Sequence, residues 1–193
     1  QSLVGSEMCI RDSLGAAPVV GGGRLYAVDV DGTVYAFDAQ TGDKIWTRNA
    51  ALENNLRNSA FGGGVSFDSG KLYGTNGAGE VIAMDAATGN ELWKVTPSGP
   101  LRGSPTVAFG SVYVMTQDNQ IFALDANDGS LQWQESASST QAGVFGVAAP
   151  AVGQGTVIAG YSSGELVAYR YENGRSLWAV SYTHLTLPTT SKV

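Results

Sequence analysis

The sequence predicts an all-β protein, and three observations carry that prediction. A frame of Ala, one residue, Asp, three residues, Gly, three residues, Trp occurs four times, with Arg in the Asp position of the last copy. The tryptophans that close the copies, Trp46, Trp93, Trp133 and Trp178, stand 47, 40 and 45 residues apart. Each interval divides into short apolar runs separated by Gly, Asn and Asp, the punctuation of strands and tight turns. Repeats of roughly 40–45 residues with four strands each are the signature of a β-propeller, whose blades are four-stranded sheets around a channel.

The four copies read "VYAFDAQTGDKIW", "VIAMDAATGNELW", "IFALDANDGSLQW" and "LVAYRYENGRSLW". The third unit shows the division most clearly. "TVAF" is followed by a turn, then "SVYVMTQ", the dipeptide Asp118-Asn119, "QIFALDA", the turn "NDG" and "LQWQES". On this basis the expected blades are residues 14–50, 60–97, 103–137 and 147–178.

Two turns recur in every unit. The one before the third strand is Asp31-Gly32, Ala78-Gly79, Asp118-Asn119 and Ser163-Gly164. Gly or Asn there suits the positive φ angles of tight hairpins. The second turn, "DAQTG" in the first copy, places Asp38, Asp85 and Asp125 where a carboxylate can accept backbone N–H bonds. Gly42, Gly89, Gly129 and Gly174 then take the left-handed position. Arg170, in the last copy, cannot accept such bonds, so the fourth turn is expected to be the least well tied.

Tryptophan and aspartate both invite a chemical reading, as a stacking platform for a flat cofactor and as a catalytic carboxylate. Four equivalent positions around a ring cannot all face one ligand. The expectation is that the tryptophans fill the space between neighbouring blades and that the aspartates are turn architecture. No catalytic, cofactor-binding or metal-binding residue is expected. No phosphate-binding loop, zinc-spaced His/Cys cluster or Ser/His/Asp set stands out.

Composition narrows the function classes further. The 193 residues carry 17 acidic and 11 basic side chains, a net charge of −6, which disfavours nucleic acid or an anionic membrane as the main partner. The 26 glycines fit a protein rich in turns. No apolar run approaches the ~18 residues of a membrane helix.

The repeat resembles the pyrroloquinoline-quinone-type propeller repeat, and within that superfamily the BamB family of outer-membrane assembly lipoproteins. The stretches that carry the resemblance are "GRLYAVDVDGTVYAFDAQTGDKIW", "PLRGSPTVAFGSVYVMTQDNQIFALDA" and "APAVGQGTVIAGYSSGELVAYRYENGRSLW". Members are eight-bladed, so the resemblance implies that about half a ring is present. It further implies a non-catalytic scaffold without a cofactor, on the periplasmic side of the outer membrane. Such a scaffold docks on the POTRA domains of BamA and supports the folding of nascent outer-membrane proteins. Membrane attachment would come only through a lipid anchor that lies outside this sequence. In some members the docking loop carries Leu-Arg-Gly, matched here by Leu101, Arg102 and Gly103. Physically, an exposed Leu beside an Arg on a loop makes a hot spot. A solvated connection between blades is the competing reading, and Gly143 to Pro150 is a second candidate for the equivalent loop. The family's acidic docking residues have no match.

Two rivals remain. One is a fragment of a quinone-dependent dehydrogenase, which needs a calcium ion, a catalytic Asp and commonly adjacent cysteines. The other is a propeller sensor module of a signalling protein.

Neither end of the chain fits the frame, and the single cysteine, Cys9, and single histidine, His184, lie in those ends. "MCIRDS" can be encoded as ATG TGT ATA AGA GAC AG. Its reverse complement, CT GTC TCT TAT ACA CAT, encodes Val-Ser-Tyr-Thr-His, the stretch Val180 to His184. The pair resembles adapter sequence joined to both sides of a DNA fragment and translated with it. Residues 1–13 and 179–193 are accordingly expected to be non-native tails. The remaining segment holds neither Cys nor His. As a half-ring it is expected to form an open arc, or a strained small ring, with a blade face uncovered at each end.

Overall fold

The computed structural model describes residues 16–29, 32–49, 63–101, 103–137 and 149–181. Cys9, Asp31, Arg102, His184 and residues 143–148 lie outside them. The described chain is all-β, sixteen strands in four antiparallel four-stranded sheets. The first blade contains β1 (Val19–Gly21), β2 (Arg24–Val28), β3 (Thr33–Asp38) and β4 (Lys44–Asn49). The second contains β5 (Val65–Asp68), β6 (Lys71–Thr75), β7 (Val81–Asp85) and β8 (Glu91–Val95). The third contains β9 (Thr106–Ala108), β10 (Ser111–Met115), β11 (Gln120–Asp125) and β12 (Leu131–Ser136). The fourth contains β13 (Ala151–Gly153), β14 (Thr156–Gly160), β15 (Glu165–Arg170) and β16 (Ser176–Ser181). β16 runs three residues past Trp178, because Ala179, Val180 and Ser181 continue the ladder opposite Val167, Leu166 and Glu165.

Each blade is a simple meander, and its connections obey local chemistry. The first hairpin of every blade is a two-residue turn with both residues at positive φ. The pairs are Gly22-Gly23, Ser69-Gly70, Phe109-Gly110 and Gln154-Gly155. That is the mirror-image turn whose twist matches the strands it joins. The second hairpin has positive φ where the sequence predicts it, at its Gly or Asn. Gly32, Gly79, Asn119 and Gly164 have positive φ, whereas Ala78, Asp118 and Ser163 do not. Backbone bonds such as Gly79 N to Asn76 O (3.1 Å) and Asn76 N to Glu80 O (3.2 Å) close a three-residue loop. It is an ordinary turn followed by one left-handed residue, which needs Gly or Asn only at its last position.

The third turn follows the frame. Asp38 Oδ1 accepts from Gln40 N (2.8 Å) and Thr41 N (2.9 Å), and Asp85 Oδ1 from Ala87 N (3.1 Å) and Thr88 N (2.8 Å). Asp125 Oδ1 accepts from Asn127 N (2.8 Å). Thr41, Thr88, Asp128 and Asn173, each one residue before the glycine, accept from the N–H two residues on, at 2.9–3.3 Å. In every blade a one-residue slip between the third and fourth strands follows the repeated Ala36, Ala83, Ala123 or Ala168. The slip keeps each Trp directly opposite its Ala.

The core is three seams between consecutive blades. Tyr26, Val34 and Trp46 of the first blade pack on Val65, Leu72 and Met84 of the second. Tyr73, Val81 and Trp93 meet Val112, Phe122 and Leu124 across the next seam. Tyr113, Ile121 and Trp133 meet Val157, Val167 and Tyr169 across the last. Each large apolar side chain buried this way is worth roughly 1.5–3 kcal/mol. A seam therefore outweighs the ~1 kcal/mol of any single cross-blade hydrogen bond. Apolar burial supplies cohesion and the hydrogen bonds set the angle between blades. No comparable cluster joins the fourth blade to the first among the described residues, so these form the open arc.

Candidate functional site

The blades present two different rims. One carries the first and third turns of every blade, tied together by bonds such as Ala86 N to Gly70 O and Ala126 N to Gly110 O, both 3.0 Å. It repeats with little variation. The other carries the second hairpins and the connections between blades, where sequence varies most, and it includes the predicted docking loop.

The repeated tryptophans belong to neither rim. Trp46, Trp93 and Trp133 are 9%, 8% and 7% exposed, each lying on the third turn of the next blade. Their indole N–H groups donate to Ala86 O (3.2 Å), Ala126 O (3.3 Å) and Tyr171 O (2.8 Å). Gly89, Gly129 and Gly174 leave room for the rings, since a Cβ there would stand 2.7–2.8 Å from the indole. Tyr26 and Tyr73 add a second donor to the same Ala86 and Ala126 carbonyls, at 3.0 and 3.1 Å. Trp178, last in the series, is 46% exposed. None of the four rings shares a cleft with another.

The described residues of the loop between β8 and β9 are anchored at Pro100, Leu101 and Gly103. Gln117 N donates to Pro100 O (3.0 Å), and Leu101 N to Asn76 O (3.3 Å). Leu101 forms an antiparallel bridge with Thr116. Thr75 Oγ1 donates to Gly103 O (2.7 Å). Leu101 itself is 0% exposed and sits in the seam between the second and third blades. The expectation of an exposed Leu on this loop is therefore corrected, because the bridge to Thr116 turns the side chain inward.

Sequence reading missed the polar groups beneath this loop. Asn76 Oδ1 accepts from Ala78 N (3.1 Å) and Glu80 N (3.0 Å), while its Nδ2 donates to Glu80 Oε2 (2.8 Å). Glu80 is only 3% exposed, a carboxyl group held under the rim of second hairpins. In the third blade Asn119 ties its hairpin to the next blade, accepting from Ser162 N (3.2 Å) and Ser162 Oγ (2.8 Å). The only signal for these residues was a polar type flanking the second hairpin, a pattern shared with any solvated turn.

The inner strands β1, β5 and β9 line a groove of about 370 Å³ that marks the channel side. Ala17, Val19, Val65, Phe67 and Val107 make it largely apolar, with Ser66, Ser104 and Thr106 as its hydroxyls. Two of those are already used between blades: Ser66 Oγ donates to Pro105 O, and Thr106 Oγ1 to Pro150 O (2.6 Å). Among the described residues no group of three or more His, Cys, Asp or Glu is placed to hold a metal ion.

Electrostatics follow the turns. Hydrogen bonds from Thr41 and Gln40 hold the Asp38 carboxyl below the usual carboxylate range. The Thr88 hydroxyl and backbone do the same for Asp85, and the Ser130 backbone for Asp128. In the last seam burial pushes the Tyr161 hydroxyl up, where it is hydrogen-bonded to Tyr169 at 2.8 Å. Asp38, Asp85 and Asp128 are thus stabilised as anions by their turns, the opposite of what a general acid requires.

A family model described as "Outer membrane protein assembly factor BamB" matches residues 7–60 and 49–186. The chain belongs to the BamB family. The BamB of Vibrio cholerae is 40% identical over 155 residues, covering 80% of this chain and 39% of that protein. The BamB of Yersinia pestis is 28% identical over 173 residues, covering 88% of this chain and 44% of that one. The chain thus spans about two fifths of the length of these BamB relatives. The crystal structure of Moraxella catarrhalis BamB matches with a TM-score of 0.77 at 24% identity, over 89% of this chain and 50% of that one. The quinoprotein alcohol dehydrogenase PedH of Pseudomonas putida is also similar, 29% identical over 170 residues, covering 84% of this chain and 22% of that one.

Proposed function

We propose that the chain belongs to a non-catalytic scaffold for outer-membrane protein assembly, working on the periplasmic side of the outer membrane. Its partners on this reading are the POTRA domains of BamA and, through the assembled complex, nascent outer-membrane proteins. The observation that carries the reading is the use already made of the repeated chemistry. Trp46, Trp93 and Trp133 are consumed by seams, and Asp38, Asp85 and Asp125 by turns. What varies from blade to blade is the rim of second hairpins and inter-blade loops, which suits a docking surface. The proposed contact is the loop of Leu101, Arg102 and Gly103, with Leu101 as the buried anchor and Arg102 as the group offered to the partner.

The test is direct. Purified BamA POTRA domains should be retained by the immobilised chain, and Arg102→Glu should reduce that retention. Dye reduction that appears when pyrroloquinoline quinone and calcium are added would instead support the dehydrogenase reading. Retention unaffected by Arg102→Glu would move the contact to another loop.

A further inference from the structure

The second hairpins of the first three blades share one hydrogen bond. The first residue of each accepts from the N–H four positions on: Asp29 Oδ1 from Thr33 N (2.8 Å), Asn76 Oδ1 from Glu80 N (3.0 Å) and Thr116 Oγ1 from Gln120 N (3.2 Å). A carboxylate, an amide or a hydroxyl can close the hairpin, so closure does not explain why the second blade buries an Asn against a Glu. There Asn76 is 5% and Glu80 3% exposed, and Asn76 Nδ2 also donates to Glu80 Oε2 (2.8 Å). Burying two such groups costs solvation. What the pair fixes is the place of Asn76, whose backbone carbonyl accepts from Leu101 N (3.3 Å). One residue earlier, Thr75 Oγ1 accepts from Gly64 N (3.2 Å) and donates to Gly103 O (2.7 Å). Gly79 brings the same hairpin so close to the loop that a Cβ would stand 2.5 Å from Ser98 O. The loop is thereby held at Leu101 and Gly103, the residues that flank Arg102 in the sequence.

We infer that Asn76 and Glu80, with Thr75, are positioning residues of the docking loop. They touch no partner themselves; they hold the loop in its binding shape before a partner arrives. This rests on the docking role proposed above for Leu101, Arg102 and Gly103. A loop already in its bound shape loses less conformational freedom on association. Where the loop is seated only part of the time, the apparent dissociation constant rises in inverse proportion to the seated fraction. The buried pair thus sets affinity from below the contact, as a supporting shell does for any binding group.

Asn76→Asp keeps both bonds to the hairpin N–H groups but sets an acceptor oxygen against Glu80 Oε2. Adding Glu80→Gln restores the pair with donor and acceptor exchanged. On the 193-residue chain, amide hydrogen exchange reads the seat at Leu101 and Gln117, which bond Asn76 O and Pro100 O. Gly89, bonded to Asp85 O in the third turn of the same blade, is the reference. Asn76→Asp should speed exchange at Leu101 and Gln117 but not at Gly89, and the double variant should return it to the parent rate. Retention by BamA POTRA domains should follow, since a seated fraction of about one tenth weakens binding about tenfold. Glu80→Ala, which leaves the Asn76 amide unpaired, should act in the same direction. In an Arg102→Glu background Asn76→Asp should weaken retention little further, because it acts through the loop that carries Arg102. Parent-like exchange in both Asn76→Asp and Glu80→Ala would overturn the inference. So would a double variant no better than Asn76→Asp, or losses fully additive with Arg102→Glu. A parent chain that POTRA domains do not retain would sink the docking role instead, and exchange at Leu101 and Gln117 would still decide whether the pair holds the loop.

Discussion

Trp46 lies on Gly89 so closely that a Cβ at the glycine would stand 2.8 Å from the indole, and the same indole donates its N–H to Ala86 three residues earlier. One turn thus serves two purposes. Its left-handed glycine lets the chain reverse within the second blade, and its bare surface accepts the first blade's largest side chain. The Trp–Gly pair is the joint of the arc, and its repetition is why these two residue types are the most regular in the sequence.

Two alanine substitutions in the second blade separate these purposes. Gly70 has φ of 79° and nothing within 4 Å of its Cβ position, whereas Gly89 has φ of 71° and faces Trp46 and Arg48. Gly70→Ala should cost only the left-handed backbone penalty, roughly 1–2 kcal/mol. Gly89→Ala should add an overpacking cost of about 1–3 kcal/mol. Urea unfolding of both variants checks the difference. Equal losses would mean that the seam relaxes freely around the glycine.

The tyrosines that accompany the tryptophans are not equivalent. Tyr73 donates to Ala126 O, but the hydroxyl of Tyr113 is buried without a hydrogen-bond partner. The carbonyl in the corresponding place belongs to Tyr171 and is taken by Trp133 at 2.8 Å, while the nearby Ser111 hydroxyl donates to Gln132. Tyr113→Phe should therefore be neutral or stabilising by up to about 1 kcal/mol. Tyr73→Phe should cost about 1 kcal/mol by orphaning a bond that is made. Thermal melts of the two variants should move in opposite directions or differ clearly in size.

The contrast shows which features were legible in the sequence. Trp46, Gly89 and Asp85 recur at fixed spacing because each makes one contact demanded once per blade, so pattern alone exposed them. The left-handed Gly or Asn of the second hairpin was legible, but its loop length was not, because Gly at its last position suits both a two-residue mirror-image turn and the three-residue loop that forms. The inward turn of Leu101 depends on a bridge to Thr116, fifteen residues away and outside the repeated frame. The pair of Asn76 and Glu80 was invisible for the same reason: its meaning comes from the loop folded over it.

Acid should loosen the third turns first. Asp38 and Asp85 are held below their ordinary range by hydrogen bonds to their carboxylates. A carboxyl whose folded pKa is depressed stabilises the fold above its unfolded value, about 3.9, and that contribution is lost as pH falls through the lower folded value. The melting temperature of Asp85→Ala should lie below that of the parent near about pH 6. The gap should narrow steadily below about pH 4. A gap constant across the range would show that Asp85 acts through packing and not through charge.

The fourth blade offers the reverse experiment, adding a bond where the chain lacks one. Its third turn keeps the backbone frame of the others: Arg170 N bonds Arg175 O at 2.9 Å and Gly174 N bonds Arg170 O at 3.0 Å. The Asn173 side chain also accepts from Arg175 N, at 3.1 Å. What is missing is the carboxylate that, in the first two blades, accepts the N–H groups two and three residues on. Arg170 is exposed and at the strand end, so replacing it disturbs no seam. Arg170→Asp should raise the melting temperature by about 1–3 °C, the scale of one added hydrogen bond in a domain of this size. Arg170→Asn, which offers a weaker acceptor without charge, should give a smaller gain that is insensitive to acid. The Asp gain should shrink as pH falls below about 4, because only its carboxylate form makes the stronger bond. If Arg170→Asp and Arg170→Ala melt together at neutral pH, the carboxylates of Asp38 and Asp85 are consequences of the turn and not contributors to it.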